Sequence, residues 1–250
     1  MKLDLIKTMR MPCLLALALA AGAAHAQAWL QNYNYDYMST WAANHNLSQA
    51  VGRCVNGLGG CAGSARKSSQ QAQAALPSRD ARAKLYTGRD FASTKGIEQL
   101  VSSSPRANQP QMVQAYKKLI VTFNDTIPRT YGIPKNNLAT AYAAILAGSY
   151  AAYTNRPFPD DAVKPLYQQM ERVILGAPAI HEASVTEKNT LYQIWVGVGM
   201  VMLATQAELA QHPNPAQQAQ LQQAGANSLR ILLGVEPDKV RFTKQGLEFL

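Results

Sequence analysis

The chain has little charge, few cysteines and few histidines for its length, and each shortage narrows what it can be. Of 250 residues, 16% are charged, three are cysteine and four are histidine. Three cysteines cannot build the dense framework of a disulfide scaffold. His45, His181 and His212 are far apart, and none has a partner at metal-ligand spacing, so no metal site is expected. Asp160-Asp161 is not followed by oxygen ligands at calcium-loop spacing. Gly197-x-Gly199 follows no strand and lacks a third glycine, and no serine stands in a G-x-S-x-G turn. No helix-turn-helix, zinc finger or aromatic RNA-binding motif is present, which argues against nucleic acid as a partner. No cofactor is expected, and no strand-helix alternation supports a parallel sheet.

What is present begins with a leader. Lys2, Lys7 and Arg10 precede an apolar stretch from Leu14 to Ala24, and Ala24-His25-Ala26 has the small-x-small pattern that signal peptidase cuts. The stretch is 11 residues long, short of the roughly 20 that span a bilayer, so processing leaves no transmembrane anchor. Cleavage between Ala26 and Gln27 is expected, which makes the mature protein periplasmic or secreted. Cys13 leaves with the leader. Cys54 and Cys61 remain, separated by a glycine-rich run that permits a tight turn, and they suit a disulfide-closed loop in an oxidising compartment. Such a loop contributes about 2–3 kcal/mol.

The charge is unevenly placed. The leader takes three of the 24 basic residues and one of the 15 acidic ones, leaving a net charge of +7. Eight basic residues lie between Arg53 and Lys95 against two acidic ones; from Asn136 onward, eight basic residues meet nine acidic ones. A basic segment outside the cytoplasm fits an acidic protein partner or an anionic envelope surface, with a solvated tail as the plainer alternative. Arg66 and Lys67 lie in this segment. Tyr33, Tyr35 and Tyr37 alternate, placing three rings on one face of an extended strand. Those rings can stack on a sugar or a partner, or simply lie across the body. Gly57 to Ala75 lacks an apolar stripe and reads as a connector.

From Pro110 the pattern is helical. Met112, Tyr116, Ile120, Phe123 and Ile127 form one stripe, and Leu138, Ala141, Tyr142, Ile145, Leu146, Ser149 and Tyr153 form the next. A third helix follows Asp160-Asp161, whose charge suits a helix N-terminus. Ser184-Val185-Thr186-Glu187 is a capping box opening a fourth helix. That helix is apolar all round near Val196–Ala204, which predicts a central position. Gly197 and Gly199 cost it about 1 kcal/mol each, and close packing near Gly148 is the economical compensation. A fifth helix runs from Pro215 to Gly234, and Val240, Phe242, Leu247 and Phe249 pack back. The expectation is an all-α, antiparallel bundle of four to five helices in 109–250, preceded by a leader in 1–26 and an irregular, disulfide-closed segment in 27–108.

Candidate chemistry is sparse. His181-Glu182 is the best acid/base pair by adjacency, placed in the loop before the capping box, and Glu171 is a further carboxylate.

Several separated motifs, in order, resemble a family of exported proteins of Gram-negative bacteria known only as a domain of unknown function. They are Tyr131-Gly132-Ile133-Pro134-Lys135-Asn136-Asn137-Leu138-Ala139, Ala141-Tyr142-Ala143, Gln169-Met170 with Arg172, Glu187-Lys188 with Tyr192, Gly199-Met200, and Leu233-Gly234 through Gly246-Leu247. The resemblance spans about Tyr131 to Leu247 and departs at Thr140, where the family more often carries aspartate. It implies an exported helical domain and supplies no activity. The residues together lead to the expectation of an exported, non-catalytic binding protein of the envelope, of inhibitor or immunity type. The alternatives are an envelope-polymer hydrolase using Glu171, His181 or Glu182, and a structural protein on a membrane surface.

Overall fold

A computed structural model describes residues 51–55 and 77–250. The chain is mostly helical. Its elements are α1 (Arg79–Ala83), α2 (Lys95–Val101), α3 (Gln109–Tyr131), α4 (Leu138–Thr154), α5 (Asp160–Leu175), α6 (Pro178–Glu182), α7 (Val185–Gln211) and α8 (Pro215–Leu233). A 3-10 turn (Pro237–Lys239) and two strands, β1 (Val240–Thr243) and β2 (Gly246–Phe249), complete the chain.

The helix ends follow local chemistry. Asn137 accepts from the backbone amides of Ala139 and Thr140, opening α4. The capping box of α7 is complete, with the Ser184 hydroxyl on the Glu187 amide and the Glu187 carboxylate on the Ser184 amide. Asn214 caps α8, and Gly234, at φ 66°, closes it in the left-handed conformation.

Two helices carry the core. α4 packs against α7, α8 and α5, and α7 also meets α2, α3 and α8. As its all-round apolarity predicts, α7 buries residues on every side, among them Ile194, Trp195, Val196 and Val198. α4 is more enclosed than its expected stripe: Ala139, Ala143, Ala144, Ala151 and Ala152 are buried as well. The alanines let three neighbours approach one helix closely, alongside the large buried side chains of Leu138, Tyr142, Ile145 and Leu146.

The two α7 glycines have different reasons. A Cβ on Gly199 would sit 2.4 Å from the Ala144 carbonyl oxygen, and one on Gly148 would sit 2.2 Å from that of Gly199. The backbones of α4 and α7 therefore touch here, as expected. Gly197 faces elsewhere, 2.6 Å from Leu100 Cδ1 and 3.1 Å from the Tyr116 ring, and makes room for α2 and α3.

Two expectations are corrected. The C-terminal residues form a β-hairpin, paired Val240↔Phe249 to Thr243↔Gly246, so the fold is not purely helical. Val240 and Phe242 face inward while Arg241 is exposed, the period-two pattern of a strand too short to stand out among helices. Pro178–Glu182 is a helical turn, not a loop, because Pro178 suits a first-turn position with no free donor.

Candidate functional site

The expected site residues do not converge. Glu171 lies on α5 with its side chain fully buried, whereas His181 and Glu182 are exposed on α6. His181 Nε2 is 2.8 Å from the Leu175 carbonyl oxygen, so it is tied to the end of α5, and no contact joins it to Glu171. Cys54 is buried at 2% exposure. Cys61, the Ala26–Gln27 junction, Tyr33, Tyr35, Tyr37, Arg66 and Lys67 lie outside the described residues.

Glu171 has its own cluster. Tyr167 Oη donates to Oε1 at 2.5 Å, and Arg82 Nε of α1 lies 3.3 Å from the same oxygen. Glu171 Oε2 and Arg82 Nε form no hydrogen bond, so the guanidinium holds the carboxylate by charge, not by an aligned donor. Burial, the Glu171 hydrogen bond and its charge together push the Tyr167 phenol far above its usual range, against a smaller opposing effect of Arg82. Tyr167 is thus a fixed donor. The cluster joins α1 to α5 and presents no second acid or base to a substrate.

A larger polar network lies where residues 84–97 cross the ends of α3, α4 and α7. Asn124 of α3 donates to Asp90 at 2.9 Å and to Asn136 at 3.2 Å, and accepts from the Tyr192 hydroxyl of α7. The amide of Asn136 donates back to Tyr192 Oη at 3.4 Å. Asn136 stands at φ 52°, a left-handed turn that asparagine tolerates, which leaves its carbonyl free to accept from the Thr87 amide. Asn189 donates to the Thr87 carbonyl at 3.0 Å, and Gln193, one turn on, donates to the Ser93 carbonyl and accepts from the Ile97 amide at 3.2 Å. Lys188 Nζ donates to the Lys84 carbonyl at 2.9 Å, and burial lowers its pKa.

Side chains of α3 and α7 reach Lys84, Thr87, Asp90, Ser93 and Ile97 of the crossing segment and satisfy backbone groups it would otherwise leave stranded, while Asn124, Asn136 and Tyr192 bond one another beside it. The network is a clamp. Burial, chiefly, raises the Tyr192 pKa well above its usual value, and the nearby Asp90 charge adds to this, so it stays a protonated donor. Chemically the network can hold a loop, but it offers no nucleophile poised beside a base.

The clamp fixes charges. Between residues 77 and 135, ten Lys and Arg stand against four Asp and Glu. Arg79, Lys84, Arg89, Lys95, Arg106 and Lys118 are exposed, and among the described residues none of these enters an ion pair. Arg66 and Lys67, expected as contact residues, lie outside the described residues; Lys84, Arg89 and Lys95 are cations displayed on the clamped segment. Arg82 is paired with Glu171, and Lys135 lies 3.9 Å from Asp90. Among the described residues, no group of three His, Cys, Asp or Glu is placed to hold a metal, and no helix is long and apolar enough to cross a membrane.

The motif residues have structural work throughout. Tyr131 Oη donates to Asp160 at 2.8 Å, Thr140 Oγ1 to the Pro134 carbonyl at 2.6 Å, and Lys188 and Tyr192 belong to the clamp. The Gln169 amide embraces Leu247, donating to its carbonyl at 2.9 Å and accepting from its amide at 2.7 Å. A Cβ on Gly246, at φ 101°, would come 2.6 Å from the Gln169 oxygen, so only glycine lets the hairpin dock.

A model described as a family of unknown function (DUF6683) matches residues 7–250, so the likeness extends through the basic segment and not only from Tyr131. No curated protein and no solved structure matches the chain.

Proposed function

The chain belongs to this family of unknown function, and from that premise we propose that it is an exported, non-catalytic binding protein whose clamped basic surface engages an acidic protein. One observation carries the reading: Lys84, Arg89 and Lys95, exposed and without ion-pair partners among the described residues, stand on a segment that buried hydrogen bonds hold in place. Fixed, desolvation-ready charge favours fast and selective association with an oppositely charged surface, which is what an inhibitor or immunity protein requires. The leader cut after Ala26, the Cys54–Cys61 disulfide and an antiparallel bundle arrangement of α3, α4, α5, α7 and α8 belong to the same proposal.

The hydrolase alternative draws support from one feature, the Glu171 Oε2 atom that is buried without a hydrogen bond. The Arg82 charge beside it, and the burial of Glu171 while the α6 pair is exposed, favour a structural role. A membrane-surface role would use the same cations.

The test is capture from periplasmic extract in low salt, comparing the native protein with a Lys84→Glu, Arg89→Glu, Lys95→Glu variant. The expected result is an acidic protein retained by the native surface, released by salt, and lost with the variant. Retention unchanged by the three reversals, or no acidic protein retained, would sink the proposal. Vesicles of anionic lipid in a parallel flotation distinguish the membrane-surface role.

A further inference from the structure

The C-terminal end of α4 carries a second surface that the basic segment does not share. A groove of about 580 Å³ is lined by Tyr150, Tyr153, Arg156, Pro157, Pro159 and Gln222 among others. Its walls are rigid for reasons legible in the chain. Asn155 ends α4 in the left-handed conformation at φ 51°, and prolines at 157 and 159 fix the backbone on both sides of the buried Phe158. Tyr150 meets Phe158 and Phe242 edge-on, with ring centroids 6.2 and 4.7 Å away, so its ring is wedged. The opposite wall is α8, where Gln222 approaches the Tyr153 carbonyl at 3.5 Å; a Cβ on Gly225 would sit 2.6 Å from the Tyr153 amide nitrogen, so the two helices cannot shift apart or together easily.

Apart from the long contact of the Gln222 amide to the Tyr153 carbonyl, the side chains of Tyr150, Tyr153, Arg156 and Gln222 have no polar partner among the described residues. Tyr150 and Tyr153 are partly buried, and neither hydroxyl has a hydrogen-bond partner among the described residues. Arg156 is exposed and no carboxylate pairs with it among the described residues. The nearest acids in sequence are engaged: Asp160 accepts from Tyr131, and Asp161 lies 3.6 Å from Lys244. Two aromatic rings with free hydroxyls, one free guanidinium and a side-chain amide suit a ligand with an apolar face, a ring of hydroxyls and one negative charge. A guanidinium fork recognises a carboxylate in two parallel hydrogen bonds, and aromatic faces cover the C–H side of a pyranose.

We propose that this groove is a binding site for a sugar carrying a carboxylate, with Arg156 on the carboxylate, the Tyr150 and Tyr153 rings on the sugar face, and Gln222 on its hydroxyls. It stands independently of the acidic-partner reading, since no residue is common to the two surfaces.

The experiment is saturation-transfer NMR titration of the full mature chain with methyl β-D-glucuronide, methyl β-D-glucoside and sodium acetate. The glucuronide is expected to bind at least tenfold more tightly than either of the others. Arg156→Gln is expected to remove that preference, bringing the glucuronide to the affinity of the glucoside, and Tyr153→Ala to weaken both sugars at least fivefold. Both residues are at the surface, and matching thermal melts establish that the variants fold. Equal affinity for glucuronide and glucoside overturns the charge recognition. Acetate binding as well as the glucuronide reduces the site to a plain anion contact and overturns the sugar. Absence of saturation transfer from the glucuronide overturns the whole.

Discussion

Residues 84–97 and the α4–α7 pair are both largely held in place by buried contacts, but by opposite chemistry. The α4–α7 contact is apolar and close, with Gly148 and Gly199 bringing two backbones together among buried alanines and Trp195. The 84–97 crossing is held instead by polar side chains: Lys188, Asn189 and Gln193 of α7 on its backbone and Asn124 of α3 on the Asp90 carboxylate. The first region can tolerate no added atom; the second can tolerate no lost hydrogen bond. The lesson is that a crossing segment becomes a fixed platform for charge when its neighbours supply the partners that its backbone lacks.

The contrast can be broken most violently at the glycines. Gly199→Val places side-chain atoms where the Ala144 carbonyl already stands, and the helices must separate. A loss of more than about 3 kcal/mol is expected, read as a chain that no longer melts cooperatively; a melt near the native midpoint would mean the helices do not touch as described. Arg82→Ala comes next, because it leaves the buried Glu171 carboxylate without its cation. Full burial of both partners would cost about 3–5 kcal/mol, and since Arg82 is 39% exposed, water softens the loss to about 2 kcal/mol. Arg82→Ala combined with Glu171→Gln is expected to recover most of it in urea unfolding.

Tyr192→Phe tests the clamp itself. It removes the donor to Asn124 and the acceptor of the Asn136 amide without changing packing volume, for an expected loss of about 1–3 kcal/mol. A neutral result would show that the hydrogen bonds do not hold the crossing. The smallest effect is expected at the hairpin surface. Arg241 lies 2.7 Å from Glu248, but both are substantially exposed, so Arg241→Ala should cost under about 0.5 kcal/mol in the same unfolding assay.

Much of the helical core was legible because periodicity and caps act locally. The Ser184–Glu187 box, Asn137, Asn214 and Gly234 each end or begin a helix where the sequence pattern puts the boundary. The glycine contact was half legible: Gly199 meets α4, while Gly197 makes space for Leu100 and Tyr116, a difference that depends on which way the helix is turned. The hairpin was missed because four-residue strands carry only two inward positions each.

The clamp was missed for a different reason. Asn124, Asn189 and Gln193 stand at inward helical positions, where a polar residue in an apolar stripe signals a buried partner, but their partners on the crossing segment lie 34 to 102 residues away in sequence. The motifs of the family likeness marked these places without revealing their role, since Lys188 acts on a segment that the motifs do not include and Tyr192 on Asn124, which they also leave out.

Native-state hydrogen exchange on the mature chain tests the platform most directly. The amides of Thr87 and Ile97, which donate to Asn136 and Gln193, should be protected within an order of magnitude of those in α4, and Gln193→Ala should release Ile97 while α4 stays protected. If Thr87 and Ile97 exchange at the rate of open chain in the native protein, the cations of this segment are not held in place and the account of its function loses its foundation.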